Sequence, residues 1–219
     1  MLSLILAGVV AIAPAANAPL PSASPSVPPL RGIATVKSTP YCTSFATHFN
    51  GAVVPMVQND YQLTRIDTGL ESIKVLFSRP DFATRFATLR AQLVKQVGTM
   101  QQNLPTIQAQ VNQLRLGERL TSNPAQAKQM RQLAEQMQAA YDKQHQMTGD
   151  LLGVVQGMMD FDTSAPAPIG GSSLSTEMAP EQMTNIKSYL KFDGMRDRLT
   201  DAETKAGDIA LDIADNVCR

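Results

Sequence analysis

The chain has 219 residues, and its 19 basic and 19 acidic side chains give a formal net charge of zero. Neither sign of charge clusters strongly, which argues against nucleic acid as a partner. Aromatic residues are only 5% of the total and tryptophan is absent. A core must therefore be built from Leu, Ile, Val, Met and Ala, and about two hundred residues are enough for one well-buried domain.

The N-terminus has the pattern of an export signal. An apolar run over residues 2–12 precedes two small-x-small frames, at residues 13–15 and 16–18, and such frames suit signal peptidase. The run is too short to span a bilayer comfortably. We predict that residues 1–15 are a cleaved signal peptide, with a cut after residue 18 as the second choice because Pro19 would hinder it. Since no basic residue precedes the run, an uncleaved N-terminal anchor is the alternative.

Residues 16–40 are expected to form a disordered tether. The segment holds six prolines among serine and alanine, and such a composition buries too little apolar surface to order itself.

Beyond residue 40 the apolar residues recur in alternating steps of four and three, which is the spacing of one face of a helix. Four such segments are separated by short breaks and by one flexible loop, residues 162–180, that is rich in Pro, Gly and Ser. The predicted helices cover about 41–77, 81–119, 124–161 and 181–217. Each would be roughly 55 Å long at the helical rise per residue. Matched lengths predict an all-α fold over residues 41–219, an elongated, coiled-coil-like, antiparallel up-down-up-down four-helix bundle.

The inward-facing residues of each helix form a line along it that we call its seam. Two seam residues are polar amides: Asn59 in the first helix and Gln144 in the third. These two either specify the register of the helices or face water. The first seam is Phe45, Phe49, Ala52, Met56, Asn59, Leu63, Ile66, Leu70, Ile73 and Phe77; the second is Phe82, Phe86, Leu89, Leu93, Val97, Met100, Leu104, Ile107, Val111 and Leu114. The third is Met130, Leu133, Met137, Ala140, Gln144, Met147, Leu151, Val154, Met158 and Phe161; the fourth is Ile186, Tyr189, Phe192, Met195, Leu199, Ala202, Ala206, Ile209 and Ile213.

Two prolines predict kinks inside these helices, and an asparagine followed by a proline predicts the start of the third helix. Pro55 and Pro105 lie inside helical patterns and predict kinks, with a true break at Pro105 as the alternative. Asn123 is placed to cap the third helix, and Pro124 suits its first turn.

The two cysteines, Cys42 and Cys218, bracket the predicted bundle. In an up-down-up-down order the start of the first helix and the end of the fourth lie at the same end. Export favours oxidation, so we predict a Cys42–Cys218 disulfide that closes the bundle. Two buried free thiols are the alternative.

No constellation of catalytic or cofactor-binding residues is found in the sequence. A di-iron site in a bundle needs Glu-x-x-His motifs, and neither His48 nor His145 follows a glutamate at that offset. Attachment of c-type haem needs Cys-x-x-Cys-His, which is absent. We therefore predict no catalytic residues, no cofactor and no metal site.

One metal-binding alternative rests on methionine. Ideal helix rise places Met100, His145, Met147 and Met195 at one height in the bundle. Thioether and imidazole ligands suit Cu(I) or haem iron, so this His/Met set could carry either group. The favoured interpretation is that the methionines fill gaps in a core poor in aromatic residues.

Two weaker features concern the surface. Asp208, Asp212 and Asp215 share one face of the last helix, which predicts a solvated acidic face rather than a calcium site, because the glycine-containing calcium loop is missing. Residues 38–59 contain no Asp, Glu, Lys or Arg. This segment is either a helix well covered by its neighbours or a contact face for a partner.

These features predict an exported protein, periplasmic or secreted, that is not an enzyme. We expect it to act as a binding, adaptor or structural module of the cell envelope or extracellular space. Its partner would be another protein or a second copy, with no nucleic acid and no integral membrane span after signal cleavage. The alternative is a carrier of copper or haem in the bundle core.

Overall fold

The computed structural model describes residues 30–35, 37–76, 81–159 and 192–219. Within these ranges the chain is helical and contains no strand, which confirms the all-α class. The four α-helices are α1 (Pro40–Leu76), α2 (Phe82–Gly117), α3 (Pro124–Met159) and α4 (Phe192–Asn216), and a short 3-10 helix (Glu118–Leu120) follows α2. The predicted signal peptide, the loop at 162–180 and the predicted start of the fourth helix lie outside the described residues.

Helix boundaries and interruptions follow local chemistry. The backbone N–H of Ala125 donates to Asn123 Oδ1 at 2.9 Å, so Asn123 caps α3 and Pro124 occupies the first turn as predicted. α1 continues through Pro55 and α2 continues through Pro105. The continuity of α2 through Pro105 excludes the alternative that the helix breaks there.

The predicted seams form the core of the bundle. Every seam residue of α1 from Phe45 to Leu70 is buried, and so is every seam residue of α2 from Phe86 to Leu114. On α3 and α4 only Val154 and Ile209, among the seam residues whose side chains are described, are partly exposed. Burial of these side chains removes apolar surface from water and is the main stabilising contribution to the fold.

Cross-helix hydrogen bonds show how the helices pair. They join His48 to Gln110 and Asn59 to Asn103 between α1 and α2, Gln108 to Gln138 and Arg90 to Met158 between α2 and α3, and Gln129 to Asp212 and Gln144 to Glu203 between α3 and α4. In each helix pair the residue numbers rise along one helix as they fall along the other. The predicted antiparallel up-down order produces this pattern.

The predicted disulfide is present. Cys42 in the first turn of α1 is bonded to Cys218 just beyond α4, with 5.5 Å between the two Cα atoms. This separation is ordinary for a disulfide. The bond encloses a loop with a sequence separation of 176 residues, which includes nearly all of the bundle.

Residues 30–35 and 37–39, in the segment expected to be a disordered tether, contact the bundle through Leu30, Ile33 and Lys37. Leu30 is buried in the core cluster with 1% of its surface exposed. Asn50 of α1 exchanges two hydrogen bonds with the backbone of Ile33, at 2.7 and 2.8 Å. The backbone N–H and the Nζ of Lys37 donate to the carbonyls of Cys218 and Val217, at 3.0 and 2.8 Å. We call residues 30–35 and 37–39 the docked arm.

Candidate functional site

Five polar side chains cross the middle of the apolar core and together form what we call the polar layer. They are Asn59 and Asp60 from α1, Asn103 from α2, Gln144 from α3 and Glu203 from α4. Asn59, Gln144 and Glu203 are buried, and Glu203 exposes only 2% of its surface. Polar groups buried to this degree are costly unless they are hydrogen-bonded, so their partners determine what the layer can do.

The sequence places these groups in the core by helical spacing. Asn59 and Gln144 occupy seam positions, so their side chains point inward with the apolar residues one turn away. Glu203 adjoins Ala202 and lies one turn from Ala206, both of which are buried. Because alanine side chains are small, they leave room for the longer glutamate beside them.

Three side-chain amides form a chain of hydrogen bonds through the polar layer, and each donates to the next. Asn103 Nδ2 donates to Asn59 Oδ1 at 2.8 Å, and Asn59 Nδ2 donates to Gln144 Oε1 at 3.0 Å. The chain of donors therefore leads from α2 through α1 to α3.

Gln144 is the branching point of the layer. Its Nε2 lies 3.0 Å from Asp60 Oδ1, 3.1 Å from Glu203 Oε1 and 3.2 Å from the carbonyl oxygen of Met56. A glutamine amide carries two hydrogens, yet three acceptors surround it. The two carboxyl groups consequently compete for the same donor.

The electrostatics of Glu203 follow from this setting. Burial, and after it the negative charge of Asp60, raises the pKa of Glu203 to about 9, although the hydrogen bond from Gln144 opposes the shift. A hydrogen bond between Glu203 and Asp60 contributes in the same upward direction. The shift therefore favours the protonated form of Glu203 at a pH where an ordinary glutamate is ionised.

The structure does not assemble the His/Met set. Met100 and Met147 are fully buried, whereas His145 is exposed and stacks on Tyr141 with ring centroids 5.8 Å apart. The side chain of Met195 lies outside the described residues. In the described part of the chain, no group of three or more His, Cys, Asp or Glu side chains is arranged to hold a metal ion.

The acidic residues of α4 lie in water, as the favoured interpretation predicts. Asp208, Asp212 and Asp215 are all exposed. Asp212 accepts hydrogen bonds from Gln129 and Asn216, both at 2.6 Å, and Asp215 pairs with Arg219 at 2.9 Å.

An open cleft of about 530 Å³ lies near the disulfide, between the start of α1 and the end of α2. We call it the end cleft. Its lining is Ser38, Pro40, Thr43, Ser44, Thr47, His48, Gln113, Leu116, Gly117 and Leu120. The lining contains no Asp, Glu, Lys or Arg, and Leu116 and Leu120 are about half exposed. Of the valines in the uncharged part of α1, Val53 is buried, Val57 is partly buried and Val54 is exposed.

Sequence reasoning found two members of the polar layer and missed three. Asn59 and Gln144 were visible as polar residues on otherwise apolar seams. Asp60, Asn103 and Glu203 lie beside the seams, where polar residues are ordinary. The available signal was the matched height of Asn59 on the first helix and Gln144 on the third, which indicates that polar partners should meet across the core there.

Comparisons with known proteins provide no relative for this chain: no family model, curated protein or solved structure matches it. Among the helices that the structure describes, none combines the length and the apolar character needed to cross a membrane. The disulfide, the polar layer and the end cleft are the features of the described residues that bear on function.

Proposed function

We propose that the protein is an exported, non-enzymatic helical bundle that acts as a binding, adaptor or structural module of the cell envelope or extracellular space. The observation that carries the proposal is the Cys42–Cys218 disulfide. Disulfides of this structural kind persist in oxidising compartments and are rare in the cytosol. The export-like pattern at the N-terminus supports the same compartment, either the periplasm or the extracellular medium.

The end cleft is the surface that best suits a protein partner. Its lining combines hydroxyl and amide side chains and His48 with two half-exposed leucines, Leu116 and Leu120, and contains no Asp, Glu, Lys or Arg. Such a surface favours an uncharged segment of another protein that carries an apolar side chain, since a charged group would lose hydration there without a counter-charge. Thr43 of the lining directly follows the disulfide-bonded Cys42 in α1.

Photo-crosslinking in the exporting cell tests this proposal. A photoreactive amino acid replaces Leu116 in one variant and Gln132, an exposed residue of α3, in the control variant. We expect a discrete crosslinked protein from the Leu116 position alone, in the exported fraction. Identical crosslinking from both positions, or none from Leu116, would contradict a binding role for the end cleft.

N-terminal sequencing of the exported protein tests the compartment separately. A mature chain starting at Ala16 is expected, and a start at Pro19 is the second choice. Intact Met1 on membrane-bound material would show a retained anchor instead, and a wholly cytosolic protein would contradict export.

The alternative function is a carrier of copper or haem. His145 lies on the surface while Met100 and Met147 are buried, so the histidine is separated from these two methionines of the proposed ligand set. Elemental analysis and an absorption spectrum of the purified protein test it directly. We expect neither stoichiometric copper nor a Soret band.

A further inference from the structure

We propose that Asp60 and Glu203 hold one proton between them at neutral pH, and that this proton locks α1, α3 and α4 together, so that the bundle loosens when alkaline pH removes it. The proposal concerns the stability of the bundle and does not depend on the partner-binding role proposed above.

The positions of the hydrogen-bonding groups favour such a proton. Gln144 Nε2 has two hydrogens for three acceptors, namely Asp60 Oδ1, Glu203 Oε1 and the Met56 carbonyl. Asp60 Oδ1 and Glu203 Oε1 lie 3.0 and 3.1 Å from that one nitrogen, so the two carboxyl groups are close neighbours in the core. Two ionised carboxylates are acceptors only and would repel each other there. A single proton allows one carboxyl group to donate to the other and removes one of the two charges.

The groups that face Glu203 could do little to stabilise its ionised form if the proton were lost. Asp60 faces it from α1, and the neutral amide of Gln144 faces it from α3. Toward α2 the layer continues only through the amides of Asn59 and Asn103. The charge that acts on Glu203 is thus the negative charge of Asp60, and burial strengthens its effect. Ionisation of both acids would place two like charges side by side in the core.

The sign of the pH dependence follows from the direction of the pKa shift. A raised pKa, about 9 for folded Glu203 against 4.5 for the ordinary group, means that the folded chain holds the proton more tightly than the unfolded chain. Below the ordinary pKa the acid is protonated in both states, and the unfolding equilibrium does not change with pH. Between the two pKa values the unfolding equilibrium constant rises by up to about tenfold per pH unit. Above the folded pKa the rise ends.

Urea unfolding at pH 6, 7, 8 and 9 measures this dependence on the full disulfide-bonded chain. Three proteins are compared: the native chain, Glu203→Gln, which mimics the protonated acid, and Glu135→Gln, a matched change at an exposed glutamate of α3. We expect the unfolding constant of the native chain, divided by that of Glu203→Gln, to rise by up to about tenfold per pH unit. The ratio of native chain to Glu135→Gln should stay flat. A native chain and Glu203→Gln with parallel pH profiles would overturn the proposal.

Infrared spectroscopy of the native chain gives a second readout that does not require any variant to fold. At pH 7 ordinary carboxyl groups are ionised, so the carbonyl stretch of a protonated carboxylic acid should be visible and should disappear as the pH is raised past 9. If Glu203→Gln folds, the band should be missing from its spectrum at pH 7. A native spectrum at pH 7 that contains ionised carboxylates alone would overturn the proposal.

Discussion

At the scale of single residues, Gln144 is the polar side chain that connects three helices through hydrogen bonds. Its carbonyl accepts from Asn59 and its amide faces both Asp60 and Glu203. One side chain on α3 thus contacts polar groups from α1 and α4. Neighbouring seam positions carry apolar residues that would pack almost equally well in a shifted register, whereas these bonds form in one register only.

Replacement of Gln144 by Met, which has similar volume and no amide, should destabilise the protein by about 2–4 kcal/mol. The buried carboxyl groups and the Asn59 amide would lose partners while remaining desolvated. Urea unfolding at pH 7 measures the loss. Gln132→Met, the same change at an exposed position of the same helix, should stay within about 0.5 kcal/mol. Similar losses at both positions would show that the hydrogen bonds of Gln144 contribute nothing specific.

At the scale of elements, the docked arm belongs to the folded unit. Leu30 enters the core cluster, and Lys37 donates to the last carbonyls beyond α4. A lysine ammonium is favourable at this point because the carbonyls at a helix C-terminus carry partial negative charge. The arm therefore links the start of α1 to the end of α4 through non-covalent contacts beside the disulfide.

Leu30→Ala should destabilise the bundle by about 2–3 kcal/mol, since it removes a buried side chain and leaves a cavity. The matched control is Arg31→Ala, because Arg31 is the exposed neighbour and its loss should cost less than about 0.5 kcal/mol. Thermal and urea unfolding compare the two variants. If they have equal stability, the arm does not remain on the bundle in solution.

The helices and their apolar faces could be predicted from the sequence because helical spacing is a local property. Phe45 through Leu70 repeats every three or four residues, and this alone determines which face is buried. The arm was not predictable in this way, since Leu30 and Ile33 are isolated apolar residues after a proline-rich stretch without any period. The burial of Glu203 was missed for a related reason: it depends on small neighbours and on side chains from two other helices.

At the scale of the whole molecule, the disulfide ties the first turn of α1 to the end of α4 across a separation of 176 residues. A crosslink of this span removes a large part of the freedom of the unfolded chain. In the chain-entropy model it contributes about 5 kcal/mol to the free energy of unfolding, and measured values are usually lower. Its effect should therefore be comparable to that of one or two buried leucines.

Reduction, or the double change Cys42→Ala with Cys218→Ala, should lower the free energy of unfolding by about 2–5 kcal/mol without abolishing the helical signal in circular dichroism. Mass spectrometry of the untreated protein should first show no alkylatable thiol. Covalent dimers on a non-reducing gel would mean that the cysteines pair between chains, in contradiction to the bond seen within one chain.

The position of the disulfide also determines how the protein would transmit mechanical force. A pull between the chain before Cys42 and the chain after Cys218 first detaches the docked arm and then passes directly through the two sulfur atoms, so the four helices bear none of the load. The helices would keep their packing under tension. Optical-tweezers stretching of the oxidised protein should then show only the short lengthening from the release of the docked arm and no unfolding step of the helices. The reduced protein should lengthen by roughly 600 Å as the bundle unravels, at about 3.5 Å per residue.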